Sequence, residues 1–455
     1  MEDFERVNHR QRTSGVIALH WFRHGLRLHD NPALSYAAAN AKKLYVMFTF
    51  DGESAGTKLI GYNRMKFLLE SLHDLNCQLH SYGGQLLVFR EKPLKVITRL
   101  HDVLGVNLVT FEQDCEPIWN ERDEAVKEGC RELGIECREE VSHTLWDPKE
   151  VVDMNGGVPP LTYTMFLQVT SAIGEPPHPE ERLDFSSVKF GIVPVGLAAE
   201  LNLFAEIPTP EDLNVKCSHP ADIEENSGSW IGGETQALLL FDMRLAVEAD
   251  AFKRNFYLPN QARPDLLGPS RSLSPYLRYG CLSIRKMYWG IHDLFAEIHK
   301  GKPPCHVHLT AQLIWRDFFY AMSVGNPNYD RVKENPICLQ IPWRHKQKEL
   351  QQWKDGKTGF PFVDAVMRQL LREGWIHHVA RNAVAQFLTR GGLWISWEDG
   401  LKVFLKHLLD ADWSVCSGNW LWISSSAFET ILDCSHCLSP VAYGRRLEPT
   451  GDYIR

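Results

Sequence analysis

The chain has 455 residues, a formal net charge of -8 and a sequence pI of about 6.2, a balance that speaks against indiscriminate nucleic-acid binding. Hydrophobic residues at 44% and charged residues at 23% are ordinary globular values, and the length suffices for two or three domains around large cores. No run of eighteen apolar residues appears, so no membrane-spanning helix is expected, and the lead MEDFERVNHRQRTSG lacks the apolar stretch of a secretory leader.

In chain order, residues 1–15 read as a frayed polar lead. Val16 to Phe22 is a short apolar run of the kind a buried parallel strand shows. Asp30-Asn31-Pro32 then opens a helix, with an acidic or amide cap followed by proline in the first turn. Leu44–Phe50, Gln85–Phe89 and Asn107–Phe111 are further buried strands, separated by helical segments over Tyr62–Leu79 and before Asn107. A last helix covers Glu121–Leu133. Strands alternating with helices at this spacing predict a parallel α/β sheet with crossover helices, occupying residues 16–170. Neither G-x-G-x-x-G nor a Walker sequence is present, so the sheet by itself announces no nucleotide.

Val141–Asp147 and NGGVPPLTYTMF (155–166) are rich in turn residues and end this unit. Residues 171–228, rich in Pro, Glu and Asp with weak periodicity, read as a long connecting loop over the surface. From Gly232 the pattern is helical, giving a second, all-α domain over residues 229–455. Its first helix carries Arg244. Ser274-Pro275 reads as an N-cap followed by proline at the first helical position, and Gln312 to Arg316 opens a later helix.

Six of the fourteen Trp fall between Trp375 and Trp422. Interleaved with them are groups that core packing alone would not select: His378, Arg381, Asn382, Asp410, Asp412, Cys416 and Asn419. Such a stretch is either an unusually aromatic helical core or a pocket for a planar cofactor. His378, Arg381 and Asn382, at i, i+3 and i+4, share one helix face, and Arg381 is placed to pair with an acid of Asp410-Ala411-Asp412. Trp420 stands four residues after Cys416, so the two are neighbours on a helix. Cys416 by itself would be a small buried hydrophobe, and Trp413 and Trp422 read as core.

The eleven Cys are irregularly spaced in a long chain, which implies reduced, mostly buried thiols in the cytosol or nucleus. Cys305-His306-Val-His308 and Cys434-Ser-His-Cys437 resemble metal ligands. Neither has a second ligand pair at zinc-finger spacing, so no metal is expected.

DADWSVCSGNWLW together with GWIHHVARNAVAQFLTRGGLWISWEDGL closely resembles the flavin-binding core of the cryptochrome/photolyase family. WFRHGLRLHDNPAL resembles the opening of the family's α/β domain. FTFDGESAGTKLIGYNRMKFLLESL and EQDCEPIWNERD are more particularly similar to insect light-sensing cryptochromes. The resemblance implies FAD, with the pyrophosphate held by Ser272 and Ser274 and further contacts from Arg244, Gln312, Trp315, His378, Arg381, Asp410, Ala411, Asp412, Cys416 and Asn419. It places the Arg381/Asp410 pair over the isoalloxazine and Cys416 opposite flavin N5. It makes Trp420, Trp397 and Trp343 an electron path, with Trp394 as an outer member. No residue set commits the chain to an antenna chromophore.

Cys416 stands where photolyases generally carry Asn. A thiol is a weaker donor than an amide, so one-electron photoreduction without proton delivery to N5 is expected. Photolyases of the (6-4) type use two His four residues apart. Here the first is His378 and the second position is Asn382, which cannot supply a titratable proton. The resemblance therefore implies a circadian blue-light receptor, not an enzyme. The alternatives are a (6-4) DNA photolyase and a light-independent clock repressor. The implied partners are the timeless protein, the period protein and a ubiquitin-ligase substrate receptor, with no membrane or DNA binding, in the cytoplasm and nucleus. Family sequence continues beyond Arg455 with further helices and a tail, so a truncated chain is expected.

Overall fold

Asn31 accepts the Leu34 amide at 3.1 Å and Pro32 follows it, so the first helix starts where the cap chemistry places it. The computed structural model describes residues 15–51, 60–217, 230–255, 266, 271–301, 309–428 and 439–455. Its first part alternates β1 (Ile17–Trp21), α1 (Pro32–Asn40), β2 (Lys43–Thr49), α2 (Tyr62–His80), β3 (Leu86–Phe89), α3 (Pro93–Leu104), β4 (Leu108–Glu112), α4 (Pro117–Glu132) and β5 (Glu136–Glu140). The five strands are parallel in the order β3-β2-β1-β4-β5, with β1 and β4 paired where the winding reverses. The apolar strands are buried because helices cover both faces.

β5 is a strand the sequence pattern does not announce. Its residues are Glu-Cys-Arg-Glu-Glu, yet it pairs along β4 from Leu108↔Glu136 to Glu112↔Glu140. It is an edge strand, and charge is what keeps an edge from recruiting another chain. Two helices border the stretches expected as turns: α5 (Pro148–Met154) lies between them and α6 (Tyr163–Ile173) begins near the end of the second. Asp147 and Thr162 cap them by accepting the Lys149 and Met165 amides.

The described part of the connecting segment lies against the sheet domain and is anchored to it. Leu44 N donates to Lys189 O and Phe204 N to Val88 O, both at 2.9 Å, while Phe185 and Leu201 are fully buried. Its one α-helix among the described residues is α7 (Val195–Glu200).

The second half is helical: α8 (Glu234–Lys253), α9 (Ser274–Arg278), α10 (Ile284–His299), α11 (Leu309–Ser323), α12 (Gln347–Lys354), α13 (Pro361–Glu373), α14 (His378–Leu388), α15 (Trp397–His407), α16 (Trp413–Ile423) and α17 (Pro440–Leu447). It shares one continuous apolar cluster with the inner face of the sheet domain. Polar bonds fix the seam as well. Glu234 accepts the Leu28 and His29 amides at 2.8 and 3.0 Å, and Arg285 pairs with Asp30 at 2.6 Å. The backbones meet at Gly25 and Gly280, both at positive φ; a Cβ on Gly280 would fall 2.2 Å from Gly25 N, so only glycine fits. Among the described residues no helix is long and apolar enough to cross a membrane.

Candidate functional site

The loop Asp410–Asp412, between α15 and α16, is held from both domains. The Ala411 carbonyl accepts from Arg278 Nε at 2.8 Å and from Arg64 of α2 at 3.2 Å. With its backbone fixed, the two acids point to different partners. Asp410 takes a two-pronged bond from Arg381 of α14, at 2.9 and 2.8 Å. It also accepts from the Ser274 hydroxyl at 2.6 Å. Burial pushes its carboxyl up, but Arg381 and Ser274 outweigh that and hold it below the usual carboxylate range. Asp412 is buried between two cations, its Oδ1 3.0 Å from Arg278 Nε and its Oδ2 3.8 Å from Arg316 Nε.

Ser274 bonds Ser272 Oγ at 2.8 Å and receives the Trp375 indole N–H at 3.4 Å. This corrects the expectation that Ser274 caps a helix. It is the first residue of the five-residue α9, Leu273 holds the cap position, and the hydroxyl donates to Asp410 instead. Arg244 is not brought into this cluster: its described bonds are to Glu248, one turn along α8, at 2.8 Å from Nε.

His378, Arg381 and Asn382 do share the first turns of α14. His378 reaches solvent, yet its surroundings and then the Arg381 charge keep its imidazole below the usual value. The same two effects, with His378 as a further charge, bring His377 to about 4. Asn382 Oδ1 accepts Gln386 Nε2 at 2.9 Å, so the amide is occupied within its own helix. On α16, burial and then the nearby Asp410 charge push the Cys416 thiol up to about 12, so it stays protonated. Asn419 donates to Val415 O at 2.8 Å. Ser272, Ser274, Trp375, Arg381, Asp410, Cys416 and Asn419 are each partly open, whereas Ala411–Ser414 and Ser417–Gly418 are buried.

Trp420, 2% exposed, lies with its six-membered ring over α15, where a Cβ on Gly400 would come within 2.2 Å of Cη2. Trp397, fully buried, is one turn before Gly400 on the same helix. Trp343 and Trp394 stand together, ring centroids 5.2 Å apart, with Arg344 N donating to Trp394 O at 2.8 Å. Trp394 is 36% exposed. Gln312 is an exposed residue of α11, and Trp315, on the same helix, packs on Tyr163 (4.3 Å) and Trp422 (5.3 Å). Trp413 is core as expected. Trp422, 40% exposed, is not.

These groups fit FAD. Two partly open hydroxyls suit phosphate, and a carboxylate-paired guanidinium with partly open rings suits a flavin. Four residues of the arrangement escaped the sequence reading: Arg64, Glu116, Arg278 and Trp375. The first three are buried polar residues whose partners lie more than a hundred positions away, so local patterning carries no sign of them. Both Cys/His patterns, at 305–308 and 434–437, fall outside the described residues. Among the described residues no group of three or more His, Cys, Asp or Glu could hold a metal.

Comparison with known proteins agrees with this geometry. The family model for the FAD binding domain of DNA photolyase matches residues 309–455, and the DNA photolyase model matches residues 18–182. The chain is 55% identical over 447 residues to a protein named Cryptochrome-1 in Anopheles gambiae, covering 96% of this chain and 82% of that one. It is 54% identical to Cryptochrome-1 of Drosophila melanogaster at the same coverage. Among solved structures, the cryptochrome of Synechocystis sp. PCC6803 superposes with a TM-score of 0.79 at 22% identity, covering 98% of this chain and 89% of that one; that likeness speaks to the fold.

Proposed function

The chain belongs to the cryptochrome/photolyase family with FAD as its cofactor, and from that membership we propose that it is a blue-light photoreceptor of the circadian clock. When bound, FAD supplies blue-light absorption and one-electron redox chemistry. The chain's own residues then have three tasks. Ser272 and Ser274 would hold phosphate, Ser274 only by turning its single O–H away from Asp410. The Arg381–Asp410 pair and Asp412 orient the polar side of the ring system. Cys416 keeps its proton, because a buried thiol beside Asp410 does not ionise near neutral pH.

The observation that carries the reading is the graded burial of the tryptophans. Trp420, beside Cys416 on α16, and Trp397 are sealed from solvent, while Trp394, packed on Trp343, opens to it. An electron donor next to the cofactor and an exposed ring at the far end are what a hole needs to leave the core. The receptor reading is favoured over (6-4) repair by Asn382, whose amide is bonded to Gln386 and has no proton to exchange near neutral pH. Partner binding follows from the same reading. We propose light-dependent association with the timeless protein, with the period protein and a ubiquitin-ligase substrate receptor as further partners, in the cytoplasm and nucleus.

The test is an absorption spectrum of the purified chain before and after blue light without oxygen. The oxidised flavin band should bleach, and should fail to in Trp420→Phe. Bleaching that is unchanged in Trp420→Phe, or light-driven repair of a (6-4) lesion, would overturn the reading.

A further inference from the structure

Where the sheet domain meets the flavin site, three carboxylates are buried within electrostatic reach of one another: Asp114, Glu116 and Asp412. The cations beside them are unevenly shared. Asp114 pairs with His24 Nε2 at 2.7 Å and accepts the Glu116 amide at 3.1 Å. Asp412 has Arg278 and Arg316, and Arg316 also serves Asp317 at 3.5 Å. Arg278 gives its Nε hydrogen to Ala411 O and bonds His24 Nδ1 at 2.9 Å through a terminal nitrogen.

Glu116, 1% exposed, is left with one bond. Its Oε1 accepts the Ser414 amide of α16 at 2.8 Å, and its Oε2 is buried with no partner. An ionised carboxylate in that position would need two or three donors or a cation. The first turn of α16 offers it a single N–H and a partial positive charge. Burial and the two acids, Asp114 and Asp412, act the other way.

We propose that Glu116 is a proton-holding residue of the flavin site: as a neutral acid it anchors the start of α16 and leaves Arg278 and Arg316 to Asp412. The inference rests on the assignment of FAD to this site. Glu116 is a positioning residue, acting through Ser414 and Asp412. Its surroundings agree: burial first, then Asp114 and Asp412, push its carboxyl up to about 8 against the opposing Arg278 and Ser414 N. Three other titratable groups around it are held far from their usual values. Burial holds Tyr320 well above its usual value, burial and then Arg316 hold His143 well below its own, and burial, with Asp114 and Glu116 adding to it, holds the Cys115 thiol well above. Ionising Glu116 would therefore set a second buried negative charge beside Asp412, weakening the hold on an electron-rich ring system.

The test uses the flavin-loaded protein, wild type and Glu116→Gln, the amide being the shape of the neutral acid. Infrared spectra in H2O and D2O should contain a protonated-carboxyl C=O band that fades as pH rises through about 8 and is missing from Glu116→Gln. FAD affinity, read by flavin fluorescence, should fall in the wild type by up to about tenfold per pH unit above that point and stay flat in the variant. Protonated-carboxyl intensity undiminished by Glu116→Gln, or superimposable dissociation profiles, would overturn the proposal; the share of Asp317, also raised by burial, should persist in the variant. Should the variant not fold, absence of the band from the wild type at about pH 7 is refuting, and Asp317→Asn, which should keep a band that fades through about 8, separates the two carboxyls. Flavin content is measured separately on denatured protein, so a chain that takes up no FAD fails the receptor reading while its infrared band still reports on Glu116.

Discussion

Replacing Arg381 with Met removes both bonds to Asp410 and leaves a carboxylate that is 7% exposed in its side chain with only the Ser274 hydroxyl. An exposed pair of this kind would contribute about 0–1 kcal/mol. Breaking a buried pair by taking one partner costs about 3–5 kcal/mol, because the remaining charge is uncompensated. Arg381 is 22% exposed and can still reach water when its partner is lost, so Asp410→Asn should cost less, about 1–3 kcal/mol. The double variant Arg381→Met/Asp410→Asn removes both charges and should recover part of the loss, a coupling of about 1–3 kcal/mol. The pH dependence has a definite sign. The Asp410 carboxyl sits below its ordinary 3.8 in the folded chain, so its contribution is present above that value and is lost as pH falls through the lower, folded one. Without Arg381, burial prevails and raises the carboxyl, so the variant should become more stable, relative to wild type, as pH is lowered toward about 4. Urea unfolding of the four proteins at two pH values, with the slope checked for constancy, measures all of this. Additive single losses within about 0.5 kcal/mol, or a deficit that does not shrink on acidification, would refute the reasoning.

Gly400→Ala should destabilise by about 1–3 kcal/mol and shift Trp420, since the new methyl meets its ring at 2.2 Å and Leu388 at 2.6 Å; thermal unfolding and tryptophan fluorescence read the two effects. Cys416→Asn replaces a protonated thiol with an amide donor, so light-driven bleaching should become coupled to proton uptake from a pH indicator, which the native chain should not show. Asp317, which accepts the Leu145 and Trp146 amides, is pushed up to about 7 mainly by burial. Its folded value lies above the unfolded one, so its contribution to stability declines as pH rises from about 4 to about 7, and unfolding free energies of Asp317→Asn should lack that decline.

What could be read from the sequence follows physical range. The α/β alternation and the i, i+3, i+4 face of His378, Arg381 and Asn382 are set by residues within a few turns of one another, and the structure reproduces them. β5 was not legible because an edge strand made of Glu and Arg has no apolar period to detect. The role of Ser274 was misread for the same reason in reverse. Ser-Pro is a locally complete cap signal, and only the arrival of Asp410, 136 positions away, diverts its hydroxyl. Arg244 was placed by resemblance, and the bond it makes in this chain is the local one to Glu248.

Arg64 carries this argument furthest. It is fully buried on α2 and has no carboxylate partner among the described residues. It donates to the carbonyls of Leu405 and Ala411, and its Nε is unpaired. Judged by folding alone it is a costly choice, since an unpaired buried guanidinium is replaceable by an apolar chain of similar length. Two opposing effects therefore meet in Arg64→Met: two charge-assisted bonds are lost at about 1.5–3 kcal/mol each, while the desolvation of one cation is relieved. The global stability should change by less than the bond count suggests. The local consequence is different in kind, because the Ala411 carbonyl keeps only Arg278 and the loop that aims Asp410 and Asp412 is held from one domain alone. Amide hydrogen exchange should then accelerate at residues 409–414 more than in α2 or α15, and FAD affinity should fall. Uniform acceleration across α2, α15 and the loop would mean that Arg64 serves the fold and not the site.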